Sequence, residues 1–166
     1  MICKMIRDAI FFREEELSFN GLDFASVCNG DIRMLLEEAV DKSVIILLLN
    51  NCKLTSLKDI PVLRKLQRLE LADNPFPAKD LEHLIEFDSL VSLNLSRTQI
   101  NAVNDLRPLR RLPSLIQLEL EDVRLADQSE FKTLLVDLLP RLQYLNSQPL
   151  ERTNKTLLEQ LNMKTF

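Results

Sequence analysis

One phrase recurs through the chain and limits what it can fold into. Two leucines stand one residue apart, another apolar residue stands three before them, and a further one stands five after. The copies are Val44-x-x-Leu47-x-Leu49-x-x-Cys52-x-Leu54, Leu66-x-x-Leu69-x-Leu71-x-x-Asn74-x-Phe76, Leu90-x-x-Leu93-x-Leu95-x-x-Thr98-x-Ile100 and Leu115-x-x-Leu118-x-Leu120-x-x-Val123-x-Leu125. The middle leucines Leu47, Leu69, Leu93 and Leu118, followed by Leu145 in Leu142-x-x-Leu145, are 22 to 27 residues apart. In a short extended segment side chains alternate, so both leucines of Leu-x-Leu face one side and the residue between them faces the other. One such unit cannot bury its leucine face alone, but stacked units share a continuous core.

Phrase and period together are the leucine-rich repeat signature. The predicted fold class is α/β: a leucine-rich repeat solenoid, a right-handed β-α superhelix with a parallel concave sheet and helical caps at both ends. Within the phrase, an asparagine normally turns inward and hydrogen-bonds the turn. Asn74 keeps this residue, Thr98 and Cys52 are weaker substitutes, and Val123 cannot hydrogen-bond through its side chain. A degenerate polar ladder, with apolar packing carrying more of the stability, is the expectation.

The 166 residues are read as one domain in four stretches. Residues 1–43 form an N-terminal cap and an atypical first repeat. Residues 44–127 are the regular repeats, 128–147 a C-terminal cap and 148–166 a helical extension. Ile2, Met5, Ile6 and Ala9 recur at helical spacing and read as an end-covering helix. Leu17-x-Phe19-x-x-Leu22-x-Phe24 is a blurred copy of the phrase. Asp31 is placed as the N-cap of a helix carrying Ile32, Leu35, Leu36 and Val40 on one face. Between strands, Leu57, Ile60 and Leu63, then Leu81, Leu84 and Phe87, then Leu106, Leu109 and Leu112 form apolar sets on the convex side. Asp80 is expected to cap a helix running through Phe87. Pro61, Pro75, Pro77, Pro108 and Pro113 should keep the other segments to single turns or 3₁₀ pieces. Phe131, Leu134, Leu135, Leu138 and Leu139 predict a longer helix ending before Pro140, and Leu142-x-x-Leu145 supplies the last strand. Leu150, Leu157, Leu158 and Leu161 suit a final helix from about Asn154, folded back on the core.

Composition narrows the function classes. A net charge of −4 offers no basic face for nucleic acid. Cys3, Cys28 and Cys52 are odd in number and form no CxxC, which favours free thiols in a reducing compartment and no metal site. With glycine only at positions 21 and 30, neither phosphate-cradling glycine loop can be written. His83 is the single histidine and falls in a convex segment, so no nucleophile–base pair is assembled and no catalytic residues are assigned. The reading is non-enzymatic, with no cofactor and no metal. The apolar run 44–49 is far too short to span a bilayer, and the N-terminus, interrupted by Lys4, Arg7 and Asp8, lacks a signal-peptide pattern. A nuclear or cytoplasmic monomer without membrane contact is expected.

Residues 44–146 resemble short leucine-rich repeat proteins closed by a C-terminal cap motif. That motif is matched here by Phe131-Lys132, Leu135, Leu139-Pro140, Leu142 and Leu145-Asn146. Within that group the segments Leu66–Asn74, Leu90–Ser96, Asp105–Leu112 and Leu138–Leu145 look most like the acidic leucine-rich nuclear phosphoproteins. The resemblance implies a nuclear protein with histone, chromatin or phosphatase partners. The chain ends in LEQLNMKTF where that family carries a long acidic tail, and the cap's usual Tyr-Arg and final Asp are Phe131-Lys132 and Asn146. The leucine-rich repeat subunit of a spliceosomal small nuclear ribonucleoprotein shares the spacing, the cap and a trailing Glu-Arg-containing helix, matched by Glu151-Arg152. A generic leucine-rich repeat adaptor is the third reading.

Strand residues pointing away from the leucines should line the concave face, the usual binding surface of repeat proteins. The assigned partner-binding residues are Leu48, Asn50, Arg68, Glu70, Asn94, Ser96, Gln117, Glu119 and Glu121, with Ile46, Ala72 and Ser92 in the same rows. Glu70, Glu119 and Glu121 make that face acidic toward the later repeats, which suits a basic peptide, a histone or a phosphatase subunit as partner.

Overall fold

The computed structural model describes residues 15–24, 32–37, 43–125 and 130–151. Their frame is a seven-stranded sheet in chain order: β1 (Glu16–Ser18), β2 (Ile46–Leu48), β3 (Arg68–Glu70), β4 (Ser92–Asn94), β5 (Gln117–Glu119), β6 (Tyr144–Leu145) and β7 (Gln148–Pro149). Strands β1 to β6 are parallel, and the middle leucines Leu17, Leu47, Leu69, Leu93, Leu118 and Leu145 stand directly opposite one another. The repeat phrase is therefore the sheet register. The blurred copy around Leu17 is a true strand of the same row. The fold class is the expected α/β leucine-rich repeat solenoid.

The leucines do what their spacing requires. Leu47, Leu49, Leu69, Leu71, Leu93, Leu95, Leu118 and Leu120 are fully buried. Behind them pack the three convex sets, all buried, together with Phe76 and Ile100. The convex side is built from 3₁₀ segments at Ala78–Leu84 and Val103–Arg111, the second containing Pro108. Among the described residues the α-helices are α1 (Ile32–Glu37), which buries Leu36, and α2 (Phe131–Leu138), which buries Phe131 and Leu135. Leu139 and Leu142 continue the cap core.

Three expectations are corrected. Asp80 caps nothing: Pro77 stands at the N-cap without a side-chain bond. The Asp80 carboxylate instead reaches back one repeat, accepting from Ser56 Oγ at 2.7 Å and the Leu57 backbone N–H at 2.9 Å. Buried charge is tolerated only when hydrogen-bonded, and these two donors meet that need. Leu134 is 44% exposed, because the stripe α2 turns inward is Phe131, Leu135 and Leu139, and Leu134 lies off it. The sheet is also not wholly parallel: β7 returns antiparallel to β6 through Asn146 and Ser147, both at positive φ (50° and 58°). That is the backbone pattern of a tight two-residue hairpin. The N-terminal helix set, Asp31 and Val40, and the helix expected from Asn154 fall outside the described residues. Leu150 packs partly buried against the core.

A second regularity sits at the turn after each strand. Gly21, Asn51, Asp73, Arg97 and Asp122, each four residues past its middle leucine, all have positive φ, between 52° and 76°. This left-handed conformation suits Gly, Asn and Asp, and is unfavourable for Arg. Arg97 is held there by its neighbours: its guanidinium donates to both oxygens of Asp73, at 2.7 and 2.8 Å, and stands 3.7 Å from Asp122. The hydrogen bond from Arg97 holds the Asp73 carboxyl below the ordinary range.

The inward polar ladder is complete only at Asn74. Its Oδ1 accepts from the Cys52 and Leu54 N–H groups, both at 3.0 Å, and its Nδ2 donates to the carbonyls of Leu49, Leu71 and Ala72 at 2.8, 2.9 and 3.1 Å. One side chain thus joins two repeats. Thr98 reaches only its own turn, donating to Leu95 O at 2.6 Å. Cys52 substitutes with a weak thiol bond to Phe19 O at 3.1 Å in the first repeat. Burial pushes the Cys52 thiol up from 9.0 to about 11. The folded state holds the thiol proton more tightly than the unfolded one, so its contribution is full below pH 9 and is lost as pH rises through about 11. The expected loss across that interval is on the order of 2 kcal/mol. It is checked by comparing urea denaturation of the parent and a Cys52→Ser variant between pH 8 and 11; parallel stability curves would refute it.

Candidate functional site

The concave face carries two rows of outward side chains. The first is Glu16, Ile46, Arg68, Ser92, Gln117 and Tyr144; the second is Ser18, Leu48, Glu70, Asn94 and Glu119. Adjacent strands lie about 4.8 Å apart, so successive members of a row are near enough to bond. Across β3, β4 and β5 these rows, with Ser96, Glu121 and Ser147, outline a polar depression of about 480 Å³; Tyr144 on β6 is not part of its lining.

Within it, many of the polar groups are already engaged. Glu70 is only 7% exposed, although the sequence places it on an open face. One carboxylate oxygen accepts from Arg68 Nε at 2.8 Å, the other from Asn94 Nδ2 at 2.7 Å. The negative charge of Glu70 is thus compensated inside the protein, while Arg68 remains half exposed.

A second backbone ladder explains the amides. Asn20 Oδ1 accepts from the Asn50 N–H, and Asn50 Oδ1 from the Ala72 N–H, both at 2.8 Å. Ala72 has no side-chain acceptor, and here Asn94 steps in from the strand, accepting from the Ser96 N–H at 2.9 Å. Ser96, 3% exposed, resumes the chain by accepting from the Glu121 N–H at 3.1 Å. Asn50 and Ser96 therefore tie consecutive repeats together at the rim, while the Asn94 acceptor closes a turn within its own repeat. Ile46 and Leu48 are half-buried on the face of β2.

The later strands differ. Glu119 accepts from Gln117 Nε2 at 2.9 Å and from the Ser147 N–H and Oγ at 3.1 and 3.0 Å, which anchors the β6–β7 hairpin to β5. Among the described residues no lysine or arginine forms an ion pair with it. Glu121 is exposed beside it, and Asp122 follows on the rim. Tyr144 stands next to Gln117 in register and is 41% exposed. Sequence reasoning omitted Tyr144, though the alternation that places Gln117 on this face also places the residue before Leu145 there. This part of the concave face carries the Glu119 carboxylate, bonded by neutral groups only, and an exposed aromatic ring in the neighbouring row.

His83 is exposed on the convex 3₁₀ segment, remote in sequence and register from this face. Among the described residues no group of three His, Cys, Asp or Glu side chains is arranged to hold a metal ion, and no helix is long and apolar enough to cross a membrane.

No family model matches the chain. Solved structures do. A chain of the Drosophila melanogaster SNF/U2A′ complex is similar over 90% of this chain and 82% of its own length, with TM-score 0.67 and 18% identity. A chain of the Chaetomium Mex67:Mtr2 subunits is similar over 97% of both, with TM-score 0.58 and 16% identity. Internalin C2 of Listeria monocytogenes is 24% identical with TM-score 0.52; the match covers 67% of this chain and 44% of the internalin. With the aligned leucine rows, the paired parallel strands and the Asn74 bridge already in place, these likenesses establish the fold of this chain as a leucine-rich repeat solenoid.

Proposed function

We propose that this chain is a non-enzymatic protein-interaction module that takes a basic segment of a partner on its concave face. The observation that carries the reading is the charge left over after internal pairing. Arg68 and Asn94 satisfy Glu70, whereas Glu119 is bonded only by the neutral Gln117 amide and Ser147, Glu121 is exposed within the field of Arg97, and Tyr144 is exposed in the neighbouring row opposite Gln117. Carboxylates and an aromatic ring together suit Lys and Arg side chains, the ring attracting a cation over its face. Resemblance to the acidic leucine-rich nuclear phosphoproteins supports histone tails or a phosphatase subunit as the partner and the nucleus as the place of action. A second reading, a structural subunit of a splicing particle, is favoured by the likeness in fold to a chain of the SNF/U2A′ complex along nine-tenths of this chain.

The test uses Glu121→Lys, because Glu121 is exposed and its side chain is not part of the rim ladder. Titration calorimetry with a histone-tail peptide should show binding to the parent and about tenfold weaker binding to the variant at low salt. Equal affinities would remove the concave face from the reading. Capture of partners from nuclear extract separates the two identities: histones or phosphatase subunits support the first, RNA-binding splicing proteins the second.

A further inference from the structure

The strand-entry end of the later repeats carries a different feature. Where the chain enters β5 and β6, a crevice of about 210 Å³ opens between the end of the Val103–Arg111 segment and the turn after α2. Its apolar walls are Leu109, Leu112, Leu115, Leu139 and Leu142, each no more than 5% exposed. Arg110 and Arg141 line the same crevice and are themselves exposed. Among the described residues neither forms an ion pair with a carboxylate. Arg107 and Arg111, on the same 3₁₀ segment as Arg110, are exposed too.

Size and charge decide what fits. Small-molecule sites usually begin at about 300 Å³, so this crevice suits one or two side chains of a peptide better than a cofactor. Its floor asks for an apolar anchor. The guanidinium fork at its mouth matches carboxylates bidentately, and a basic partner would meet like charge. The Asp105 carboxylate, on the same segment, is occupied by the backbone N–H groups of Asn101 and Ala102 at 2.9 Å.

We propose that this crevice docks an acidic linear segment of a partner protein, with one apolar side chain seated among the leucines and flanking carboxylates on Arg110 and Arg141. It stands apart from the concave groove in both place and sign of charge, and does not depend on what that groove binds. The chain would then grip two kinds of segment at once, basic on the concave face and acidic at the strand-entry edge.

The experiment titrates the whole chain with a fluorescein-labelled EELFEE peptide. Anisotropy gives the affinity, and leucine methyl resonances give the location. The expected result is a Kd below about 1 mM, movement of the Leu112 and Leu139 methyls, and about tenfold weakening in each of Arg110→Glu and Arg141→Glu. Both side chains are exposed, so the variants should keep the parent melting temperature, which is measured alongside. A KKLFKK peptide should leave those two methyls unmoved, whatever it does at the concave face. The proposal is overturned if EELFEE does not move them, if the double variant binds as the parent does, or if KKLFKK moves them equally. It is also overturned if a ten-residue oligouridine occupies the arginines while EELFEE does not.

Discussion

Replacing Asn74 by alanine is expected to destabilise the fold by about 3–5 kcal/mol, read as a lower urea midpoint. The buried amide, 2% exposed, serves two N–H donors and three carbonyl acceptors from two repeats. Each buried backbone group left without a partner costs about 1–3 kcal/mol, and entering water offsets part of the sum. Asn74→Asp sharpens the test. It keeps the acceptor for Cys52 and Leu54 but turns a carboxylate toward the carbonyls of Leu49, Leu71 and Ala72. Those carbonyls disfavour the ionised form, so the variant's carboxyl is raised and holds its proton in the fold. Its stability should recover as pH falls toward 4 and be lost again as pH rises. A loss under 1 kcal/mol for the alanine variant would mean that solvent replaces the amide and that this bridge adds little.

Leu95→Ala comes next, at about 2–5 kcal/mol. Leu95 is fully buried, and its N–H is held by Glu119 O at 2.9 Å in the next repeat. The side chain therefore sits in the shared core between β4 and β5, where the backbone on both sides is fixed and cannot collapse into the void. Ser92→Ala, on the opposite face of the same strand, should stay within about 0.5 kcal/mol. Equal effects at the two positions would show that the inward and outward rows are wrongly assigned.

Much of the architecture is legible because a single physical rule generates it. Side chains alternate along a strand and units stack, so a leucine phrase at a steady period names both the strand and its register. Leu17 and Leu145, the two ends of the row, follow from the same rule despite their imperfect phrases. The convex sets follow too, since each unit must cover the far side of its leucines. Reading fails where a side chain has two energetically similar uses. Asp80 has the residue type of a cap, yet its carboxylate meets donors from the previous repeat. Leu134 has the residue type of a core position, yet α2 turns only the Phe131, Leu135 and Leu139 stripe inward. The β6–β7 hairpin rests on Asn146 and Ser147 at positive φ, and without the usual glycine it left no clear mark in the sequence.

The candidate site divides in the same way. Its membership is written in the alternation, Tyr144 included. Its chemistry is not. Glu70 and Glu119 occupy the same row and the same place in the phrase, two repeats apart, but one is compensated by Arg68 and Asn94 and the other is bonded to the Gln117 amide and Ser147.

What the amino-acid order alone determined is the stack: apolar periodicity acts through burial, which is non-directional and depends only on which residues face inward. Which of the polar groups stay available for a partner was decided by the tertiary structure. Hydrogen bonds and ion pairs are directional and short-ranged, and the chain brings Arg68, Glu70 and Asn94 together only after neighbouring repeats have stacked.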